Sequence, residues 1–274
     1  MPCYNQGAWI EEAINSVLAQ TYTDYDIIVV NDGSTDEDTL AVLKTLKQNN
    51  ITVLHSGNKG VSAARNLGIA YSNAEFILPL DADDRIDKDF LLKTVPLLEN
   101  NNSFQLIGTG AQYFGELNAI EILPAYSPEK HLLQNLFFNT SLFRKKRLNA
   151  IGGYDETLHE GWEDWDLFLR LVLNPAEAYV LEEPLYHYRI KSSSRNADLV
   201  NEKKKRVEQQ LYLKHLKRYL EFYPEPIQSL RDNAFLAEQV SHFEKYKTQL
   251  NRSASYRLGH FILSPFKWMR KQKK

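Results

Sequence analysis

Apolar residues recur at helical spacing from the start of the chain. Within Gly7 to Gln20, Ile10, Ala13, Ile14, Val17 and Leu18 fall at i, i+3, i+4, i+7 and i+8, which predicts a helix with one apolar face. Asp26-Ile27-Ile28-Val29-Val30 is a short β-branched run, the pattern of a strand buried on both sides. Asn31-Asp32-Gly33-Ser34 breaks it. Ser34 opens a second predicted helix, with Glu37 completing a capping box and Leu40, Leu43 and Leu46 on its core side. Ile51 to Leu54 predicts a strand, Gly60 to Tyr71 a helix and Glu75 to Leu80 a strand. This alternation is that of an α/β sheet with largely parallel strands. Crossover units begin with a strand, but here the first begins with its helix, and nothing strand-like precedes Pro2-Cys3-Tyr4-Asn5. A first strand is therefore expected to be missing before Pro2, with Met1 an internal methionine of a longer chain or the start of a truncated one.

The middle is less regular. Leu106 to Phe114 predicts a strand, Ser127-Pro128 a helix start, Trp162 to Leu173 a helix, and Ala178 to Leu181 and Leu185 to Ile190 two strands. From about Leu199 two charged helical stretches run to about Leu250, broken at Pro224-Glu225-Pro226. The expected division is a domain over 1–198, a helical extension over 199–251 and a basic tail over 252–274. That tail carries seven Lys/Arg and no acid, which leaves −9 on the remainder of a chain whose net charge is −2. An acidic body argues against nucleic-acid binding. Cys3 is the single cysteine, so no intrachain disulfide forms, and a reducing, cytoplasmic location is expected. No apolar run is long enough to span a bilayer.

Four stretches could carry chemistry. Leu80-Asp81-Ala82-Asp83-Asp84 crowds three carboxylates after a strand, an arrangement eased by a cation and suited to Mg²⁺ or Mn²⁺. Asn31-Asp32-Gly33-Ser34-Thr35-Asp36 also follows a strand, where ligands of open α/β sheets bind. Asn58 to Asn66 opens a helix and carries Arg65, whose planar fork suits phosphate oxygens. Gly161-Trp162-Glu163-Asp164-Trp165-Asp166 places acids among aromatics, where a carboxylate can serve as a general base. Singly, these read equally well as an acidic loop, a turn, a surface arginine and a charged helix start.

Their order and spacing, together with Pro2-Cys3-Tyr4-Asn5, Ser16 to Thr21 and Gly152-Gly153-Tyr154-Asp155, closely resemble the motif series of glycosyltransferase family 2 over residues 1 to 194. The resemblance implies a GT-A fold, a nucleotide-diphospho-sugar transferase fold with a mixed, mostly parallel sheet flanked by helices, here followed by a helical extension. It implies inverting transfer from a nucleoside-diphosphate sugar, a UDP-sugar first among them. Carried over by position, Pro2, Tyr4, Asp32, Arg65 and Asp81 would line the nucleotide. Asp83 and Asp84 would hold Mn²⁺ or Mg²⁺. Asp164 would be the catalytic base, with Trp162 and Glu163 binding the acceptor. One departure is Lys191, which stands where many relatives have His and could pair with phosphate. His187 nearby reads as structural.

Large apolar and basic residues mix in Ser255 to Lys271, as in a segment lying at an anionic membrane surface. By resemblance this suggests a glycan or lipid-linked acceptor at the inner face of the plasma membrane. Deleting 253–274 should then release the protein from membranes; unchanged sedimentation with them would reject the idea. Two other readings compete. A non-catalytic nucleotide-sugar or partner binder would have no need of Asp83 and Asp164. A nucleotidyltransferase would carry a Gly-rich, basic triphosphate loop, which is lacking here.

Overall fold

In the computed structural model, which describes residues 1–48, 50–191 and 201–252, Pro2–Cys3 is a strand, β1. It pairs in parallel with β2 (Ile27–Asp32), Pro2 opposite Val30 and Cys3 opposite Asn31. Met1 extends the ladder. Its amino group donates to the Ile28 carbonyl at 2.7 Å, and its carbonyl accepts from the Val30 N–H at 2.8 Å. The expectation that the first unit opens on its helix is thus corrected. Two residues are too few to show a period, so the pattern could not reveal this strand.

β2 runs parallel to β3 (Ile51–Ser56) along its whole length. α1 (Gly7–Leu18), α2 (Glu37–Thr45) and α3 (Val61–Tyr71) alternate with these strands. α2 starts later than its capping box predicts. Asp36 is the cap, its carboxylate accepting from the Thr39 N–H at 3.1 Å. Ser34 is engaged elsewhere: its Oγ accepts from the Asn5 N–H, and its own N–H donates to Asn31 Oδ1.

The second sheet is mixed. Its strands are β4 (Phe76–Ile77), β5 (Arg85–Ile86), β6 (Leu106–Gly115), β7 (Ala119–Glu121), β8 (Leu142–Arg144) and β9 (Ala178–Ile190), in the order β4-β8-β6-β9-β5 with β7 on β6. β6 and β9 are parallel; the other pairs are antiparallel. The largely parallel pairing expected from the alternation therefore holds for the first sheet only. β9 is one strand where two were predicted. The polar, Pro-containing stretch Glu182-Glu183-Pro184 interrupts its pattern, and a register irregularity between Thr109 and Ala111 absorbs it. The two sheets do not pair through β2 and β4. A cavity of about 520 Å³ lies there, lined by Ile28, Val30, Ile69, Phe76 and Leu78 among others.

Two apolar clusters hold these layers. In the first, Ile10, Ile14 and Val17 of α1 meet Ile27 and Val29 of β2 and Phe90 and Leu98 of α4 (Phe90–Asn100). The second gathers Phe137, Phe143 and Tyr154 around Leu167, Phe168 and Leu171 of α7 (Glu163–Leu171). α6 (Lys145–Ala150) adds Leu148 to that cluster, and α5 (Pro128–Leu133) precedes Phe137 in sequence. Burying a Phe or Leu contributes roughly 1.5–3 kcal/mol, so the second cluster is what fixes α7 in place.

Cys3 lies in the first cluster at 1% exposure, and burial pushes its thiol up to about 11. At pH 8 about one thiol in a thousand is ionised at that value. Cys3 is therefore expected to resist iodoacetamide in the native protein and to react once urea unfolds it. Rapid alkylation of the native chain at pH 8 would contradict this packing.

α8 (Asn201–Lys214) belongs to the first of two compact units, Met1–His215 and Leu216–Lys274. Lys214 and His215 reach buried Asp166 of α7, at 2.7 and 2.8 Å, which ties the end of α8 to this unit. Burial alone would raise the Asp166 pKa, but His215, Arg170 and Lys214 bring it below the ordinary value. The second unit holds α9 (Leu216–Phe222) and α10 (Pro226–Arg252), separated at the expected proline break. Among the described residues no helix is long and apolar enough to cross a membrane. The basic, apolar stretch of the tail, 253–274, lies outside the described residues.

Candidate active site

The sequence-predicted residues come together where strands end. Tyr4 follows β1, Asp32 closes β2, and Lys191 follows β9. Asn5 joins the first two of these loops. It adopts a left-handed φ of 52°, and its Oδ1 accepts from the N–H groups of Thr35 and Asp36. Tyr4 beside it is 43% exposed, so its ring is available to a ligand. Gly33 turns the second loop at φ 70°, where an added Cβ would lie 2.7 Å from the Asn58 nitrogen.

Asp32 is buried and already engaged. Its carboxylate accepts from Ser56 Oγ at 3.1 Å and from the N–H groups of Lys59 and Gly60 at 3.0 and 2.8 Å. It therefore shapes the loop that leads into α3 beyond the end of β3.

Arg65 lies inside the protein. Its side chain is only 4% exposed, and both terminal nitrogens are taken. Nη2 donates to Asp81 at 2.7 Å and Nη1 to Glu163 at 2.9 Å, and the guanidinium sits 5.2 Å from the Tyr154 ring centroid. Burial opposes its charge, but Asp81, Tyr154 and Glu163 outweigh that and hold its pKa well above the usual value. Arg65, expected near the nucleotide, thus joins two carboxylates from inside the site. Glu163, expected to bind the acceptor, is engaged with it. At 3% side-chain exposure its carboxylate is buried against Arg65 rather than open to an acceptor.

Asp84, expected to hold a metal, has protein partners on both oxygens. It is 1% exposed and accepts from the Tyr186 hydroxyl through one oxygen and from the Arg189 N–H, at 2.8 Å, through the other. Burial, with Asp83 and Asp81 close by, pushes its pKa well above the carboxylate range. Through its two hydrogen bonds Asp84 anchors the loop to β9. Asp83 points elsewhere and pairs with Lys191 Nζ at 2.5 Å.

Asp164 lies in the first turn of α7, half-buried. Its Oδ1 accepts from the Trp165 N–H at 2.8 Å and its Oδ2 from Asn135 Nδ2 at 3.1 Å. The turn before it is unusual: Gly161 and Trp162 both take positive φ, 122° and 56°. For a tryptophan this is uncommon and belongs to sites held by their surroundings. It sets the Trp162 ring edge-on to Trp165, with centroids 6.1 Å apart.

Asn135 and Arg189 were missed in the sequence. Nothing in the pattern marks Asn135. Arg189 shares a strand face with Lys191 by the two-residue period, and that signal could have found it. Its Nε donates to the Asp83 carbonyl at 2.7 Å, its Nη2 pairs with Glu12, and its guanidinium lies between Trp9 and Phe114, 4.3 Å from each centroid. His187, opposite Arg85 in the ladder, is half-buried, and burial lowers its pKa.

A family model described as Glycosyl transferase family 2 matches residues 1–155. An uncharacterized glycosyltransferase of Methanocaldococcus jannaschii is 29% identical over 203 residues, 69% of each chain. Another, from Rickettsia felis, is 35% identical over 125 residues, 43% of this chain and 21% of that protein, so this chain spans only about a fifth of such a relative. Among solved structures, TarS of S. aureus in complex with UDP-GlcNAc aligns with a TM-score of 0.62 at 20% identity, covering 81% of this chain and 71% of that one. The mannosyltransferase PcManGT of Pyrobaculum calidifontis, in complex with GDP-Man and Mn²⁺, aligns with a TM-score of 0.58 at 16% identity, covering 96% and 82%. Both likenesses show the GT-A α/β fold.

Proposed function

The chain belongs to glycosyl transferase family 2, and we propose that it moves a sugar from a nucleoside-diphosphate sugar to a hydroxyl of a glycan or lipid-linked acceptor, inverting the anomeric carbon. One observation carries the reading. Arg65 ties Asp81, in the acidic loop, to Glu163, the neighbour of Asp164. The donor side and the base side are thereby one ion-paired unit across 98 residues of sequence. TarS and PcManGT were solved with UDP-GlcNAc and GDP-Man, which supports a nucleotide sugar as donor, a UDP-sugar being the first to try.

In this reading the nucleoside lies over the ends of β1 and β2, against Pro2, Tyr4 and the loop shaped by Asp32. Asp81, a third exposed, accepts from the ribose. Lys191 faces the diphosphate, and Trp162 borders the acceptor. The acceptor hydroxyl attacks the anomeric carbon, and Asp164 takes its proton. A bond forms from the acceptor oxygen to that carbon as the bond to the diphosphate oxygen breaks, and the electron pair leaves with the diphosphate. Attack from the face opposite the leaving group inverts the centre, so no covalent enzyme intermediate is required.

The residues present fit a divalent metal poorly. Mn²⁺ and Mg²⁺ need several accessible oxygens. Here Asp81 is held by Arg65, Asp84 by Tyr186 and the Arg189 N–H, and Asp83 by Lys191. Among the described residues no three His, Cys, Asp or Glu side chains are grouped as ligands. Protein groups alone carry the displacement above.

Calorimetry with UDP, GDP, CDP and dTDP tests the donor site. One nucleotide is expected to bind at least about tenfold tighter than the rest, because a polar site discriminates by its hydrogen bonds. A folded chain that binds none of the four would refute the reading.

A further inference from the structure

Every carboxylate of the Asp81–Asp84 loop has a protein partner of its own, and for Asp83 that partner is a cation at the mouth of the site. Lys191 Nζ lies 2.5 Å from Asp83 Oδ2, with 19% of the lysine side chain and 24% of the aspartate exposed. The lysine is not placed there by its own flexible stem alone. Two residues earlier, Arg189 donates its backbone N–H to Asp84 and its Nε to the Asp83 carbonyl, so the end of β9 is fastened to the acidic loop. Trp9 adds a wall: its ring centroid is 4.3 Å from the Arg189 guanidinium and 5.8 Å from Lys191 Nζ. Glu12 takes up the charge of Arg189 and of Arg85. Among the described residues Lys191 is left as the cation assigned to Asp83.

Charge decides what this arrangement can bind. A diphosphate brought beside Asp83 needs positive charge there to offset the repulsion. An ammonium has three N–H donors, of which Asp83 uses one, and it serves phosphate as a point charge. A divalent ion at the same carboxylate would have to displace Lys191 or sit within a few ångströms of it, and unlike a diphosphate it would be repelled.

We propose that Lys191 is the resident cation of the diphosphate site and that nucleoside-diphosphate binding by this chain needs no divalent metal. The proposal rests on the donor-site reading above and deepens it, giving Lys191 the place of a metal in nucleotide binding.

The test is calorimetry of the whole chain with UDP, GDP, CDP and dTDP, each in EDTA and in Mn²⁺, on the wild type, Lys191→Arg and Lys191→Met. Mn²⁺ binding without nucleotide is followed in parallel by electron paramagnetic resonance. The wild type is expected to bind its nucleotide within about threefold as tightly in EDTA as in Mn²⁺. A charge-assisted bond to phosphate is worth about tenfold to a hundredfold in affinity, so Lys191→Met should weaken binding in EDTA by that factor. Lys191→Arg, which keeps the charge, should lose less. Free Mn²⁺ should bind the wild type only weakly, and more tightly once Lys191→Met vacates Asp83. Nucleotide binding by the wild type that requires Mn²⁺ would overturn the proposal while leaving the donor site standing, and that comparison needs no variant to fold. Undiminished binding by folded Lys191→Met in EDTA would overturn it equally. A wild type that binds no nucleotide in either condition would remove the donor site and the proposal together.

Discussion

Replacing Asp164 by Asn is expected to slow sugar transfer by about 10²- to 10⁴-fold, the contribution of a positioned general base, while nucleotide affinity stays unchanged. The geometry favours a clean result. Asp164 Oδ1 accepts from the Trp165 N–H and Oδ2 from Asn135 Nδ2. Asn is isosteric and can keep the first of these bonds; the second is regained only if the Asn135 amide turns and gives up the 3.3 Å bond its Oδ1 accepts from the Phe137 N–H. What it cannot do is accept a proton from an attacking hydroxyl. The rest of the helix start should hold, because α7 is fixed from behind by Phe143, Leu167, Phe168 and Leu171. The readout is nucleoside-diphosphate release from the donor, with nucleotide binding measured on the same sample. A folded Asp164→Asn protein that turns over at the wild-type rate would remove Asp164 as the base.

Arg65→Met should unfold the protein more readily, by about 3–5 kcal/mol, because it removes the cation that balances Asp81 and the buried Glu163. For a unit of this size that is a fall in Tm on the order of 10 °C. The larger share falls on Glu163, which is 3% exposed, whereas Asp81 is a third exposed and can turn to water. Glu163→Gln removes the charge that Arg65 would abandon. The double variant Arg65→Met with Glu163→Gln is therefore expected to be less destabilised than the two single effects added, by about 1–3 kcal/mol. Strict additivity in a urea or thermal series would mean that the two side chains do not act as a pair. A rate loss in Arg65→Lys with folding intact would show that the arginine also holds Asp164 in register.

The alternation of the first 80 residues was legible because each helix has one apolar face and each strand a continuous apolar run. Where an element is set by its partners, the reading failed. Pro2–Cys3 is a strand only because β2 offers it a ladder. Ser34 reads as a cap, but Asn5 and Asn31 occupy it and Asp36 caps instead. In the site, the stretches that carry the chemistry stood out, but not what their side chains face. Arg65 looks like a phosphate ligand until Asp81 and Glu163, 16 and 98 residues away, are seen to enclose it. Asp83 and Asp84 are adjacent and chemically alike. One pairs with Lys191 at the mouth, while the other is buried under Tyr186. Only the path of β9 separates them.

The account depends most on a single displacement driven from the side of Asp164. The measurement that meets it directly is the anomeric configuration of the transferred sugar, read by proton NMR on the first-formed product of one nucleotide-sugar donor. The expected result is a configuration opposite to that of the donor. Retention of the donor's configuration would contradict the account, because it would require a nucleophile and a second displacement in place of a lone base.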